Sequence, residues 1–108
     1  MRYVYTSNIR DGKHEECTEW LRCGELEKVH PEGWKFLGAY NPVFGLGEGQ
    51  IELHWEVESF AAFDAARAAA KKGDRWFETL NQLHSNLEAS SGRGRFLASI
   101  GEGVLVGC

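Results

Sequence analysis

The sequence lacks any long apolar run. No stretch approaches the roughly 18–20 apolar residues that a membrane-spanning helix requires. The first residues also lack the basic segment, apolar stretch and cleavage site of a secretory signal. We therefore expect a cytoplasmic protein with no membrane partner.

Cysteines are few, and their spacing matches no known framework. Cys17, Cys23 and Cys108 are odd in number and form no Cys-x-x-Cys pair. This pattern argues against both a disulfide scaffold and a zinc knuckle. Reduced thiols that behave as small apolar side chains fit a cytosolic protein.

The sequence also lacks a concentration of positive charge. Twelve Lys and Arg residues face sixteen Asp and Glu residues, which gives a formal net charge of −4. The basic residues are scattered along the chain, whereas nucleic acids require a concentrated positive footprint. We therefore expect no nucleic-acid partner.

Aromatic residues, by contrast, are abundant. The 108 residues include four Trp, six Phe and three Tyr, and each large ring can bury on the order of 150–250 Å². The length suits one domain covering residues 1–108, with a single core. The aromatic excess indicates an aromatic core, a pocket or a partner surface.

Hydrophobic periodicity predicts alternating strands and helices. Predicted strands cover residues 2–6, 34–40, 50–57 and 95–100. Helices are predicted over residues 13–29, from Phe60 to a break at Gly73 and Asp74, and from Arg75 onward. Residues 104–106 would add a short edge strand. The glycine-rich connection 41–49 matches no phosphate-binding motif, and we expect it to gate a pocket.

This order predicts an α+β, ferredoxin-like βαββαβ sandwich, with a four-stranded antiparallel sheet and helices on one side. The other side of the sheet stays uncovered. Large apolar residues occur on both strand faces, so we expect two copies to pack sheet to sheet as a homodimer.

The segments that carry a family resemblance are Tyr3-Val4-Tyr5, Asp11-Gly12-Lys13, residues 34–40, residues 53–59 followed by Ala65-Ala66-Arg67, and Trp76-Phe77. As a pattern over nearly the whole chain, they resemble the NIPSNAP-like branch of the dimeric α+β barrel superfamily. The resemblance implies a homodimeric barrel with a ligand cavity between sheet and helices. That superfamily includes cofactor-free monooxygenases, haem-degrading enzymes and lactone isomerases, so the fold alone selects no reaction.

The third predicted strand carries the clearest candidates for chemistry. Glu52, His54 and Glu56 project from one face, about 6–7 Å from neighbour to neighbour. A histidine flanked by carboxylates suits acid-base catalysis or metal binding. We predict no metal site, because zinc usually requires three or four ligands. A solvated or interface strand face is the simpler interpretation of the same row.

Aromatic residues and a second histidine are the candidates for ligand binding. Flat apolar ligands stack on rings, and a hydroxyl group can fix their orientation. The candidate ligand-binding residues are Tyr5, His30, Trp34, Tyr40 and Trp55. The alternative for the rings is packing in the core or at a dimer interface. The alternative for His30 is a favourable interaction with the dipole at the C-terminus of the first helix. We interpret His84 as a core residue.

Three functions fit the sequence. The first is a small-molecule enzyme of the cofactor-free monooxygenase or isomerase type, with His54 transferring a proton and no cofactor. The second is a non-catalytic homodimer that binds an apolar or aromatic metabolite, or haem through His54 or His30. The third is a structural module without a ligand.

Overall fold

A computed structural model describes residues 1–42, 49–71 and 73–98. Two expectations fall outside these ranges, namely a gate formed by the glycine-rich connection and an edge strand at residues 104–106. Cys108 also lies outside them.

The secondary structure follows the predicted order. The strands are β1 (Arg2–Asn8), β2 (Trp34–Tyr40), β3 (Gln50–Val57) and β4 (Arg93–Leu97). The helices are α1 (His14–Arg22), the single turn α2 (Glu25–Lys28), α3 (Phe60–Ala69) and α4 (Arg75–Ser85). The four strands form one antiparallel sheet in the order β2-β3-β1-β4. The predicted ferredoxin-like α+β fold is confirmed.

One predicted helix is divided in two. The sequence predicts a continuous helix over residues 13–29, but α1 ends at Arg22 and α2 begins at Glu25. Gly24 lies between them with a φ of 77°, a left-handed conformation that glycine adopts at little cost. The chain therefore changes direction at this glycine.

Local signals explain where α3 begins. The Ser59 hydroxyl accepts a hydrogen bond from the backbone N–H of Ala62 at 3.1 Å, which caps the first turn. Four alternate residues of β3 are buried towards the helices: Ile51, Leu53, Trp55 and Val57. This face and the helices enclose the core.

The opposite face of the sheet is more polar than the sequence suggests. Cross-strand pairing places Arg2, Lys35, Arg93, Arg95 and the acidic residues of β3 on this face. Exposed apolar side chains there include Tyr40 and Leu97. The expectation of a largely apolar bare face is therefore met only in part.

Candidate functional site

A cavity of about 660 Å³ lies between the sheet and helices α3 and α4. Its volume falls within the roughly 300–1,000 Å³ that is usual for small-molecule sites. The sheet contributes Tyr3, Tyr5, Trp34, Trp55, Gly94 and Phe96 to its lining. The helices contribute Phe63, Ala66, Arg67, Trp76, Phe77, Leu80, Leu83 and His84, and Ala70 follows α3 directly. We call this space the aromatic cavity.

The rings around the aromatic cavity pack against one another. Trp34 stacks on Phe63, with ring centroids 5.3 Å apart and an interplanar angle of 13°. Trp55 and Trp76 each meet Trp34 edge to face, with centroids 5.8 Å away. Offset-stacked and edge-to-face contacts are the favoured arrangements of aromatic pairs. The wall is therefore built from mutually supported rings.

Two tyrosines bring hydroxyl groups to this wall. Tyr5 Oη lies 3.3 Å from Nε2 of His84, so the pair shares a hydrogen bond in which either group can donate. Burial raises the pKa of the Tyr3 phenol, Tyr5 raises it further, and Arg67 lowers it. The neutral form of Tyr3 is therefore favoured, and it can donate a hydrogen bond.

Two glycines leave room for these hydroxyl groups. A Cβ atom added to Gly94 would lie 2.5 Å from Tyr3 Oη, and one added to Gly92 would overlap Tyr5 Oη. Any residue other than glycine would force either phenol to move. The sequence Gly92-Arg93-Gly94 thus sets the position of both phenols.

Among the residues that the structure describes, two indole N–H groups at the aromatic cavity have no hydrogen-bond partner. Trp34 and Trp55 are only 7% and 3% exposed, and the Nε1 atom of each is buried without a hydrogen bond. An unpaired buried donor costs roughly 1–3 kcal/mol, so most such groups find partners.

The row of Glu52, His54 and Glu56 lies on the other face of the sheet. His54 Nε2 is 2.7 Å from Glu52 Oε1, and Tyr40 meets the His54 ring edge to face at 4.9 Å. Tyr40, Glu52 and His54 border a shallow depression of about 320 Å³. Glu56 instead lies 2.5 Å from the amino nitrogen of Met1. These groups are separated from the aromatic cavity by the sheet itself.

Arg95 completes the charged surroundings of this row. Its guanidinium lies 4.0 Å from a Glu52 carboxylate oxygen, and its side chain is largely exposed. Exposed pairs of this kind contribute little to stability, roughly 0–1 kcal/mol. The arrangement matches the simpler interpretation of the row as a strand face.

His30 lies away from both places. It is exposed, and its Nδ1 donates a hydrogen bond to the carbonyl of Pro31 at 3.2 Å. It lines neither the aromatic cavity nor the depression around His54.

The structure therefore divides the predicted site residues. Tyr5, Trp34 and Trp55 line the aromatic cavity. Tyr40 lies across the sheet with the candidate catalytic row, Glu52, His54 and Glu56. A single site with His54 as the base and all these rings as the wall does not form.

Sequence reasoning missed three polar contributors to the aromatic cavity. Tyr3 lies two residues before Tyr5 in a strand, so both side chains share one face. This alternation could have identified Tyr3 as a further cavity residue. His84 was interpreted as a core histidine on the apolar side of its helix, yet it is exposed and contacts Tyr5. Arg67 is exposed on an alanine-rich helix, and no signal in the sequence indicates that its guanidinium lies near the Phe63 ring at the cavity.

Other kinds of site find no support in the described residues. Across residues 1–42, 49–71 and 73–98, no group of three or more His, Cys, Asp or Glu residues could hold a metal ion. Cys17 is buried, and burial raises the pKa of its thiol, whereas Cys23 is exposed. Over the same ranges, every helix is too short or too polar to traverse a lipid bilayer.

Comparison with known proteins places the fold. No family model and no curated protein matches the sequence. A solved NIPSNAP domain protein from Burkholderia xenovorans superposes with a TM-score of 0.68 at 15% identity, covering 94% of this chain and 98% of that one. A NIPSNAP family protein from Agrobacterium tumefaciens gives 0.65 at 17%, with 93% and 87% covered.

A third solved structure carries the name of an enzyme. It is described as a putative antibiotic biosynthesis monooxygenase from Nitrosomonas europaea. It superposes with a TM-score of 0.62 at 11% identity, covering 92% of this chain and 97% of that one. The resemblance seen in the sequence is confirmed at the level of the fold, which this chain shares with these NIPSNAP family structures and with the Nitrosomonas europaea structure.

Proposed function

We propose that this protein binds a small, planar, largely apolar molecule in the aromatic cavity. The observation that carries the proposal is a space of about 660 Å³ walled by packed rings, with a few polar groups at defined positions. The fold likeness to a structure described as a monooxygenase is compatible with a small-molecule ligand, but it selects no substrate.

Small residues keep the space open. Ala66 and Ala70 line the aromatic cavity on the helix side, and Gly94 lines it on the sheet side. Rings from both layers surround these positions without occupying them. A flat ligand placed here would stack on rings whose orientation is already fixed, which lowers the entropic cost of binding.

Filling the cavity tests this proposal. Ala66→Phe adds a ring inside the cavity, whereas Ala68→Phe adds the same ring at an exposed position of the same helix. We expect the unmodified protein and Ala68→Phe to bind naphthalene carboxylate or naphthalene methanol, measured by calorimetry and tryptophan fluorescence. Ala66→Phe should bind both at least tenfold more weakly, since the ring takes the ligand's place.

Circular dichroism would show that each variant is folded. Equal affinity of Ala66→Phe and Ala68→Phe would mean that the probes bind elsewhere. Absence of binding to the unmodified protein would contradict the proposal outright.

A second candidate is an enzyme of the cofactor-free monooxygenase or isomerase type. The favouring observation is the 3.3 Å contact between Tyr5 Oη and His84 Nε2 at the cavity wall. Such a pair can take a proton from an electron-rich phenol or enol and pass it outward, because His84 is exposed. The deprotonated substrate would itself supply electrons to oxygen.

Two variants test whether His84 or His54 transfers the proton in this candidate reaction. With a naphthohydroquinone as substrate, His84→Gln should lower the rate of oxygen uptake by at least 100-fold, the usual lower range for a lost acid-base group. His54→Ala should leave the rate near that of the unmodified protein. The reverse result would support the predicted catalytic role of His54, Glu52 and Glu56. If the unmodified protein showed no turnover, ligand binding without catalysis would remain as the proposed function.

A non-catalytic or structural homodimer is the remaining alternative. Haem held by His54 or His30 does not fit the aromatic cavity, because neither histidine lines it. We retain the homodimer as a proposal, formed by the sheet face that carries His54. Sedimentation at micromolar concentration should show a dimer, and a folded single subunit would contradict it.

A further inference from the structure

The charges around the aromatic cavity differ in sign from those of the whole chain. The chain carries a formal charge of −4, yet among the described lining residues Arg67 and His84 are the groups able to carry a positive charge, and none is Asp or Glu. Opposite charges attract more strongly beside apolar walls than in open water. The cavity wall is therefore suited to a ligand with negative charge.

The hydrogen-bonding groups at the aromatic cavity are mainly donors, which also favours a ligand with negative charge. Arg67 and the indoles of Trp34 and Trp55 can only donate. The two indole N–H groups are buried, and they have no partner within residues 1–42, 49–71 and 73–98. The phenols of Tyr3 and Tyr5 can donate as well. A ligand rich in acceptor oxygens would find more partners here than one rich in donors.

Arg67 is positioned to recognise such a group. It lies on α3, lines the aromatic cavity and holds its guanidinium carbon 5.7 Å from the centroid of the Phe63 ring. Phe63 in turn stacks on Trp34 and approaches Tyr3 with a centroid distance of 4.8 Å. The cation therefore lies beside the ring wall on which an aromatic ligand would stack.

We infer that the ligand is an aromatic carboxylate or a similarly acidic planar molecule, with its anionic group held by Arg67 and its rings held by the wall of the aromatic cavity. This inference rests on the proposed function, because it names the chemical class of the molecule bound there. A guanidinium can meet a carboxylate through two parallel N–H donors, which orients a flat ligand as well as attracting it.

The test compares two probes of nearly the same shape. Naphthalene carboxylate and naphthalene methanol present the same rings, but only the first is anionic at neutral pH. We expect the unmodified protein to bind the carboxylate about tenfold more tightly, the size of one net charge-assisted hydrogen bond. Arg67→Met should abolish that preference while retaining affinity for the alcohol.

Two further variants act as controls. Arg22→Met removes an exposed arginine from α1, at the end of the chain's first helix, and should keep the tenfold preference. Arg67→Lys keeps the positive charge without the two-pronged geometry, so we expect an intermediate preference. The Lys variant also covers the case in which Arg67→Met fails to fold.

The outcomes distinguish this inference from the proposed function. Equal affinity of the unmodified protein for both probes, with loss of both in Ala66→Phe, would overturn the anionic class and leave the cavity as the site. A preference that persists in Arg67→Met would overturn the role of Arg67. Failure of both probes to bind the unmodified protein would overturn the proposed function as well.

Discussion

Tyr3 links the packing of the core to the chemistry of the aromatic cavity. Its ring lies 4.8 Å from Phe63 and 5.1 Å from Phe96, centroid to centroid. Its hydroxyl group occupies the space left by Gly94. Burial is the first cause of its raised pKa, so ionising this phenol in the folded protein is unfavourable.

This shift predicts a loss of stability at alkaline pH. The unfolded chain ionises Tyr3 near its ordinary pKa of 10.0, while the folded chain holds the proton to higher pH. The free energy of unfolding is therefore unaffected below that value and falls as pH rises from it through the folded pKa. Urea titrations across this range should show a smaller fall for Tyr3→Phe than for the unmodified protein.

Tyr40→Phe is the matched control, because it removes a phenol that is 54% exposed. Its pH dependence should follow that of the unmodified protein. If Tyr3→Phe followed the same curve too, burial of the Tyr3 phenol would not be a determinant of alkaline stability. Cys17, whose pKa burial also raises from 9.0, is present in all three proteins and does not affect the comparison.

For individual residues, the sequence indicates which side chains share a face of a strand, but not whether that face packs against the helices or lies on the open side of the sheet. Strict alternation along β3 correctly grouped His54 with Glu52 and Glu56. The alternation could not show that this polar row lies on the open side of the sheet. The apolar residues between its members, such as Trp55, suit either a core or a pocket. His84 and Arg67 depend on how two helices lie over the sheet, which no local pattern encodes.

Strands β1 and β4 act together to shape the aromatic cavity. Tyr5 pairs with Gly94 across the antiparallel ladder, and its ring leans towards Gly92. An aromatic side chain that covers a neighbouring glycine in this way shields the backbone at the residue before β4. The same contact directs the Tyr5 hydroxyl towards His84.

A double-mutant cycle tests this coupling. Gly92→Ala should lower the free energy of unfolding by about 1–3 kcal/mol, because the new methyl group overlaps the Tyr5 phenol. In a Tyr5→Phe background the same substitution should cost less, since the overlapping hydroxyl is gone. Chemical denaturation of the four proteins provides the coupling energy, and purely additive costs would contradict the contact.

Element boundaries reveal where local signals are sufficient. Strands β2 and β3 have the predicted bounds, and α3 begins at Phe60 as predicted, directly after the capping residue Ser59. The break at Gly24 was missed, because a glycine at helical spacing reads equally well as a packing position. Strand β4 starts at Arg93 rather than Arg95, because pairing with β1 draws two more residues into the ladder.

In the protein as a whole, one layer of helices covers one face of the sheet. Apolar alternation and element order were sufficient to predict this arrangement, because a four-stranded antiparallel sheet must bury one face. The charged character of the opposite face was not predicted. It arises because β4 contributes Arg93 and Arg95, which lie across β1 from the acidic residues of β3.

We propose different roles for the two faces of the sheet. The helix side encloses the aromatic cavity, and we propose that it holds the ligand. The other side carries charges of both signs, so a second copy meeting it would pair Arg93 and Arg95 with acidic residues as well as bury Leu97 and Tyr40. Pairing of this kind favours one orientation of the two copies over others.

The most direct test of ligand binding in the aromatic cavity is a crystal structure of the protein with naphthalene carboxylate. We expect electron density for the rings between the sheet and helices α3 and α4, stacked on the wall that contains Trp34, with the carboxylate at Arg67. Density for the ligand in the depression beside His54, with the aromatic cavity closed by its own side chains, would contradict it.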